Sequence, residues 1–200
     1  MRIRFNPCPS ALVCDHHYPS IRVHLRPSAV AIPLVLILVG PHVGCGQAPT
    51  WSMLKDDIRA SYPSVRHISS DSLATWLASP APAPLLLDVR AEAEFAVSHL
   101  PDARRIDPDT HDLAFFYDLP RDTPIVAYCA VGYRSSAMAE QLSGAGFTNV
   151  VNLEGAIFEW ANEGHPVYRD DRVVLQVHPY DAVWGLLLKK ELRAYTPSPE

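Results

Sequence analysis

Pro124-Ile-Val-Ala-Tyr-Cys-Ala-Val-Gly-Tyr-Arg-Ser-Ser136 runs from an unbroken apolar stretch, through a turn that holds a glycine, into a helical pattern. A strand with one face in water would alternate polar and apolar residues. Ile125 to Tyr128 do not, so they read as a strand buried on both faces of a parallel sheet. Leu85-Leu-Leu-Asp-Val89 and Val150 to Leu153 read the same way. Helix patterns fall at 91–97, 112–117, 135–142 and 156–162, the last stopped by Gly164 and Pro166. Upstream, Val65 to Ile68 is a short strand, and Ser70 is expected to cap a helix whose apolar face is Leu73, Trp76 and Leu77. Strands alternating with helices predict an α/β fold: a doubly wound parallel sheet flanked by helices on both faces. Ligands of such sheets sit beyond the carboxyl ends of the strands, where Cys129 falls.

Cys129 ends its strand and Ser135 or Ser136 opens the next helix, so the chain must curl tightly between them. A turn of this kind aims several backbone N–H groups at one centre, and the helix adds the positive end of its dipole. Such a nest beside a guanidinium lowers a cysteine pKa from about 8.5 to well below neutral. Gly132 supplies a backbone angle that other residues resist, and Arg134 brings a forked donor. A cysteine can serve as a small core hydrophobe. At a strand end, with Gly and Arg following, Cys129 reads instead as a displayed nucleophile. Tyr133 is either a surface aromatic or part of the pocket mouth. His99 and His165, beside proline-containing turns, read as structural, and Trp160 as core.

These residues also carry a resemblance. Asp88-Val-Arg90, Glu94-Phe95, Ser98-His-Leu-Pro-Asp-Ala103, Cys129-x-x-Gly132-x-Arg134-Ser135 and Asn152-Leu-Glu-Gly155 before Trp160, in that order between Leu85 and Val167, resemble a single rhodanese domain. The resemblance implies that Cys129 takes a sulfane sulfur from thiosulfate or a persulfide, holds it as a persulfide, and yields it to cyanide or a thiol. It implies that the loop of Ala130, Val131, Gly132, Tyr133 and Arg134 binds the sulfur and its donor, with Arg134 on the anionic part. Asp88 and Arg90 would be a supporting ion pair, with Ser135 beside them, and no cofactor or metal is expected. Ala130 stands where rhodaneses often carry a basic residue, which implies weaker thiosulfate binding. The alternatives are a non-catalytic sulfur-carrier or protein-binding module of the same fold, or a cysteine phosphatase or arsenate reductase. The latter enzymes place five residues between Cys and Arg; here Ala130 to Tyr133 are four, a ring suited to a terminal sulfur.

Composition bounds partners and compartment. Of 200 residues, 48% are hydrophobic and 20% charged, which suits one globular core domain with appendages. The net charge of -5 is uneven: residues 1–45 hold four Arg and one Asp, leaving 13 of the 17 basic and 21 of the 22 acidic residues, a balance of -8, to the rest. Such a body does not seek nucleic acid. Arg22 and Arg26 precede an apolar run at 29–39 closed by Gly40 and Pro41, which reads as a targeting segment over 1–45. That run falls short of the ~20 residues a spanning helix needs. His42-Val-Gly-Cys45 resembles a bacterial lipoprotein cleavage box, with His42 in place of an aliphatic residue, and makes Cys45 a lipidation candidate. A cleaved secretory signal and an uncleaved amphipathic anchor are the other readings. Residues 1–20 lack periodicity, so the natural start is expected nearer Val23; Cys8, Cys14, His16 and His17 match no closed zinc spacing.

The expected location is the cell envelope or periplasm, membrane-anchored through Cys45, or the cytoplasm if the segment is not a working signal. In an oxidising compartment a persulfide needs a thiol partner such as a thioredoxin-like protein. The chain thus divides into a targeting segment at 1–45, a linker at 46–64 whose residues 51–60 read as a polar helical lead-in, the domain at 65–168 and a C-terminal extension at 169–200. Within the extension, Arg172 to Val177 is strand-like. Asp181 is expected to start an amphipathic helix bearing Val183, Leu186, Leu187 and Leu192, either packed on the domain or offered to a partner or membrane.

Overall fold

The computed structural model describes residues 50–110 and 112–197. Residues 1–45, expected to be a targeting segment, with Cys45 and the group Cys8, Cys14, His16 and His17, lie outside the described residues.

Five parallel strands form the sheet in the order β1-β5-β4-β2-β3. They are β1 (Arg66–Ile68), β2 (Leu85–Asp88), β3 (Arg104–Arg105), β4 (Ile125–Tyr128) and β5 (Val150–Leu153). Central β4 pairs with β2 and β5, and its residues alternate between two cores. Ile125, Ala127 and Cys129 pack with Leu87 and Val150 against Met138, Ala139 and Leu142 of α4 (Tyr133–Gly144). Val126 and Tyr128 face the other way, toward Leu86, Leu153 and the Ile157, Phe158 and Trp160 side chains of α5 (Ala156–Asn162). Both faces are therefore covered, which is why these strands show no polar alternation. The fold is the α/β parallel sheet flanked by helices that the pattern predicts.

The stretch expected to be a linker is, from Thr50 onward, a core element. The side chain of Thr50 accepts from Met53 N and caps α1 (Trp51–Ser61). Leu54 and Ile58, one turn apart on that helix, are 5% and 2% exposed, so the helix is held by burial at i,i+4 spacing. In α2 (Ser70–Leu77) the cap is Ser69 rather than Ser70, its Oγ accepting from Ser72 N at 3.3 Å; Ser70 itself is buried. The helix expected at 112–117 is a single 3₁₀ turn, Ala114–Phe116, because Asp112 caps Ala114 N at 2.8 Å and the chain turns again directly after Phe116. A sixth helical element, α3 (Glu92–Val97), joins β2 to β3.

The C-terminal extension also differs from expectation. Strands β6 (Val167–Arg169) and β7 (Arg172–Val174) pair antiparallel around Asp170 and Asp171, whose positive φ values of 47° and 62° suit a two-residue hairpin. Beyond them the expected amphipathic helix is replaced by two 3₁₀ turns, Trp184–Leu187 and Lys190–Leu192. Asp181 does start the first, its Oδ1 accepting from Val183 N and Trp184 N at 2.8 Å. Leu187 is buried while Val183 and Leu186 stand exposed, so there is no single apolar stripe. Val177 and Leu188 are buried in the core, which packs this segment onto the domain.

Ile58→Ala should lower stability by about 2–5 kcal/mol, the cost of emptying a packed aliphatic site; urea unfolding checks this, and a loss under half a kcal/mol would return α1 to the role of a linker.

Candidate active site

The turn after β4 places Cys129 at the base of a closed cup, 1% exposed. Its Sγ accepts from Gly132 N at 3.1 Å. The Ser135 amide and hydroxyl act on the same sulfur from the first turn of α4. Gly132 sits at φ 122°, and a Cβ there would stand 3.1 Å from Ile58 Cδ1 and 3.4 Å from Asn152 Nδ2. A side chain at this point would therefore both strain the backbone and press α1 off the loop. From the opposite side, α5 fastens the loop: Ile157 N donates to Cys129 O at 3.2 Å and Phe158 N to Ala130 O at 3.1 Å. Ala130 and Val131 are buried in the α5-side core. Position 130 is thus occupied by a packed methyl, and the mouth receives no cation from it.

Arg134 returns at the loop's end, and its guanidinium is already engaged. Nη1 donates to Glu94 Oε2 at 2.8 Å and Nη2 to Glu94 Oε1 at 2.9 Å. Both terminal nitrogens lie on a carboxylate from α3, so an anionic donor held by Arg134 would meet a guanidinium already paired. Burial pushes the Glu94 carboxyl up, but the hydrogen bond and charge of Arg134, with Arg90 behind, bring it below its ordinary value. At Cys129 the balance has the same form. Burial pushes the thiol up, and the charge of Arg134, then the Ser135 and Gly132 hydrogen bonds, outweigh it and leave the thiol below its ordinary pKa.

Asp88 and Arg90 are a fully buried ion pair one layer below. Arg90 Nε donates to Asp88 Oδ1 at 2.8 Å, and Nη2 donates to Asp88 Oδ2 and Ser98 O, each at 2.6 Å. Burial pushes the guanidinium down, yet the Asp88 charge and bond hold it above its ordinary value, so it stays charged. The contact with Ser98 O ties the end of α3 to β2. Asp88 and Arg90 therefore support the helix that carries Glu94.

Asn152, which the sequence shows only as part of a short motif, and His67, to which the sequence assigns no role, also reach toward the loop. Ser135 Oγ lies 2.6 Å from Asn152 Oδ1, and Asn152 Nδ2 lies 3.2 Å from His67 Nδ1. Burial lowers the His67 pKa, with Glu154 opposing. Tyr133, left open between surface and pocket mouth, donates its hydroxyl to Asp57 of α1 and meets Trp184 edge-on, with centroids 6.1 Å apart. His99 stacks on Phe95 at 4.2 Å with Nδ1 2.9 Å from Leu100 O, and His165 packs on Trp160. Trp160 is core at 2% exposure. Glu94 appears in the sequence only as part of a short motif; nothing marks it as the partner of a residue forty positions away. Among the described residues, the Asp71, Glu163 and His165 ligand atoms lie close enough to share an ion, and none belongs to this loop.

Comparison with known proteins places this geometry. The Rhodanese-like domain family model matches residues 69–163. A curated sulfurtransferase of Allochromatium vinosum is 35% identical over 103 residues, 52% of this chain and 94% of that protein. The thiosulfate sulfurtransferase GlpE of Pseudomonas syringae pv. syringae is 34% identical over 77 residues, 38% of this chain and 71% of that protein. Other relatives are longer adenylyltransferase and sulfurtransferase proteins, and this chain spans about a fifth of their length. Among solved structures, a rhodanese-like domain protein from Staphylococcus aureus aligns at 28% identity and a TM-score of 0.47, covering 54% of this chain and all of that one.

A depressed thiol pKa means that Cys129 deprotonates at a lower pH than an ordinary cysteine. Its alkylation by iodoacetamide, followed by intact mass across a pH series, should therefore reach plateau at lower pH than free cysteine does. Arg134→Gln removes the strongest favourable charge and should move that midpoint upward; an unmoved midpoint would assign the effect to the amides alone.

Proposed function

The chain belongs to the rhodanese-like domain family, and on that premise we propose that this sulfurtransferase-family member is an active enzyme. It would carry sulfane sulfur as a Cys129 persulfide from thiosulfate or a small persulfide to cyanide or a thiol. The observation that carries this reading is the four-residue cup in which Cys129 Sγ accepts from Gly132 N while Arg134 and Ser135 act on the same atom.

In the first half-reaction the Cys129 thiolate attacks the outer sulfur of thiosulfate. The Cys129 S–S bond forms, the S–S bond of thiosulfate breaks, and sulfite leaves with the electron pair. The terminal sulfur of the persulfide then carries the negative charge, where the loop N–H groups and the end of the α4 dipole meet it. In the second half-reaction cyanide or a thiolate attacks that terminal sulfur, and Cys129 leaves as the thiolate it was at the start. No external oxidant or reductant enters with cyanide as acceptor. A lowered thiol pKa favours the thiolate without a histidine base. The name of the matched Pseudomonas syringae relative supports thiosulfate as a donor. Affinity for it should be modest, because Glu94 neutralises Arg134 and position 130 holds alanine.

The same neutralisation favours a second reading, a carrier that loads one sulfur and hands it to a partner thiol without sustained turnover. Thiocyanate formation from thiosulfate and cyanide tests the first reading: the wild-type protein should turn over repeatedly and Cys129→Ala should lose all activity. A mass gain of one sulfur atom with no repeated turnover would select the carrier, and full activity in Cys129→Ala would defeat both.

We further propose export to the cell envelope, supported by the pattern at 1–45, with Cys45 as the lipidation candidate. Fractionation with metabolic lipid labelling should place the protein in the membrane fraction and show label lost in Cys45→Ser; recovery in the cytoplasm would sink the proposal.

A further inference from the structure

Side chains from beyond residues 69–163, the extent of the family match, meet the sulfur loop. Tyr180 lays its ring over Arg134, with Cζ 4.8 Å from the ring centroid. Trp184 meets Tyr133 four residues later. Both sit on a segment fastened to the domain. Val177 N donates to Leu192 O at 2.7 Å, and Asn162 Nδ2 donates to Leu187 O at 2.7 Å. Gly185 lies so close to Pro179 that a Cβ there would stand 3.0 Å from Pro179 Cβ.

Tyr180 has little local reason for its conformation. Its φ is 64°, in the left-handed region that bulky residues rarely enter. Its N–H donates to His178 Nδ1 at 3.0 Å, which holds the turn. The side chain does not earn that strain by burial, since the residue is 46% exposed. What the turn achieves is to bring an aromatic face onto the guanidinium whose two Nη atoms Glu94 holds edge-on. Covered on one face and gripped at one edge, Arg134 cannot swing away from the loop. An anionic donor must share its charge with Glu94 at that place.

We propose that Tyr180 is a positioning residue of the sulfur site, holding Arg134 against Glu94 at the mouth of the Cys129 loop and so setting the affinity for an anionic sulfur donor. The donor half of this rests on the sulfur-transfer reading above. Strain stored next to a functional group, in a conformation that the surroundings must impose, is what such a role requires. It also gives the C-terminal extension a part in the chemistry that the family match does not contain.

Two substitutions in the full chain test it, with thiosulfate as donor and cyanide as acceptor. Tyr180→Gly removes the ring and takes the left-handed backbone freely, so the turn survives. Tyr180→Phe keeps the ring face and loses only the hydroxyl. The KM for thiosulfate should rise about two- to tenfold in Tyr180→Gly, as loss of a half-exposed cation–π contact implies. With kcat unchanged, the effect belongs to binding rather than to chemistry. Tyr180→Phe should keep the wild-type KM, and the melting temperature of Tyr180→Gly should stay at or above that of wild type. A wild-type KM in Tyr180→Gly overturns the proposal, as does a KM in Tyr180→Phe raised to the same extent. If the wild-type protein forms no persulfide, the sulfur-transfer reading fails and Cys129 alkylation at neutral pH decides the positioning role. A slower rate in Tyr180→Gly than in wild type sustains it, and an equal or faster one overturns it.

Discussion

A nearly fully buried cysteine sulfur at the bottom of a closed cup is the constraint around which the rest of this structure is organised. Cys129 is almost wholly buried, and an ionised group taken out of water costs several kcal/mol unless charges and donors replace its hydration. The replacement comes from three directions: backbone N–H groups in the turn, the hydroxyl and amide of Ser135, and the charge of Arg134. None of these can be supplied by the cysteine's immediate neighbours unless the chain turns within a few residues. That need places Gly132 at φ 122°, with Ile58 and Asn152 pressed against it.

Arg134 must then be held in its turn, and the structure does so by a relay of contacts. Asp88 fixes Arg90, Arg90 fixes the carbonyl of Ser98 at the end of α3, α3 presents Glu94, and Glu94 takes both terminal nitrogens of Arg134. A buried ion pair of the first kind gives little net stability compared with apolar packing. Its use here is geometric, since it anchors a short helix whose one task near the site is to aim a carboxylate. The cost is visible at the mouth. A guanidinium balanced by Glu94 offers less net charge to an anion than a free one would.

The elements beyond the family match complete the enclosure rather than decorate it. α1 contributes Ile58 behind the loop and Asp57 to the Tyr133 hydroxyl; the C-terminal extension contributes Trp184 and Tyr180. Both are anchored by core residues, Leu54 and Ile58 on one side and Val177 and Leu188 on the other. Sequence patterning reads them poorly for different reasons. In α1 only Leu54 and Ile58 are buried, and Lys55, Asp56 and Asp57 separate them. The C-terminal turns share their leucines between core and solvent, which mimics an amphipathic stripe although the backbone is extended at Leu188 and Lys189 between the turns.

What the sequence determined by itself was the part governed by local rules. Runs such as Leu85 to Val89 and Ile125 to Tyr128 specify strands buried on both faces, because no polar alternation would survive there. Cys129, Gly132, Arg134 and Ser135 specify a cysteine in an amide nest, because the strand end, the glycine and the helix start lie within seven residues. Only the tertiary structure decided how that nest is charged and closed. The partners of Arg134 are Glu94 and Tyr180, forty and forty-six positions away, and Ala130 proves to face the core rather than the mouth. Contacts across such separations depend on how strands and helices pack, and packing leaves no periodicity in the chain from which to read them.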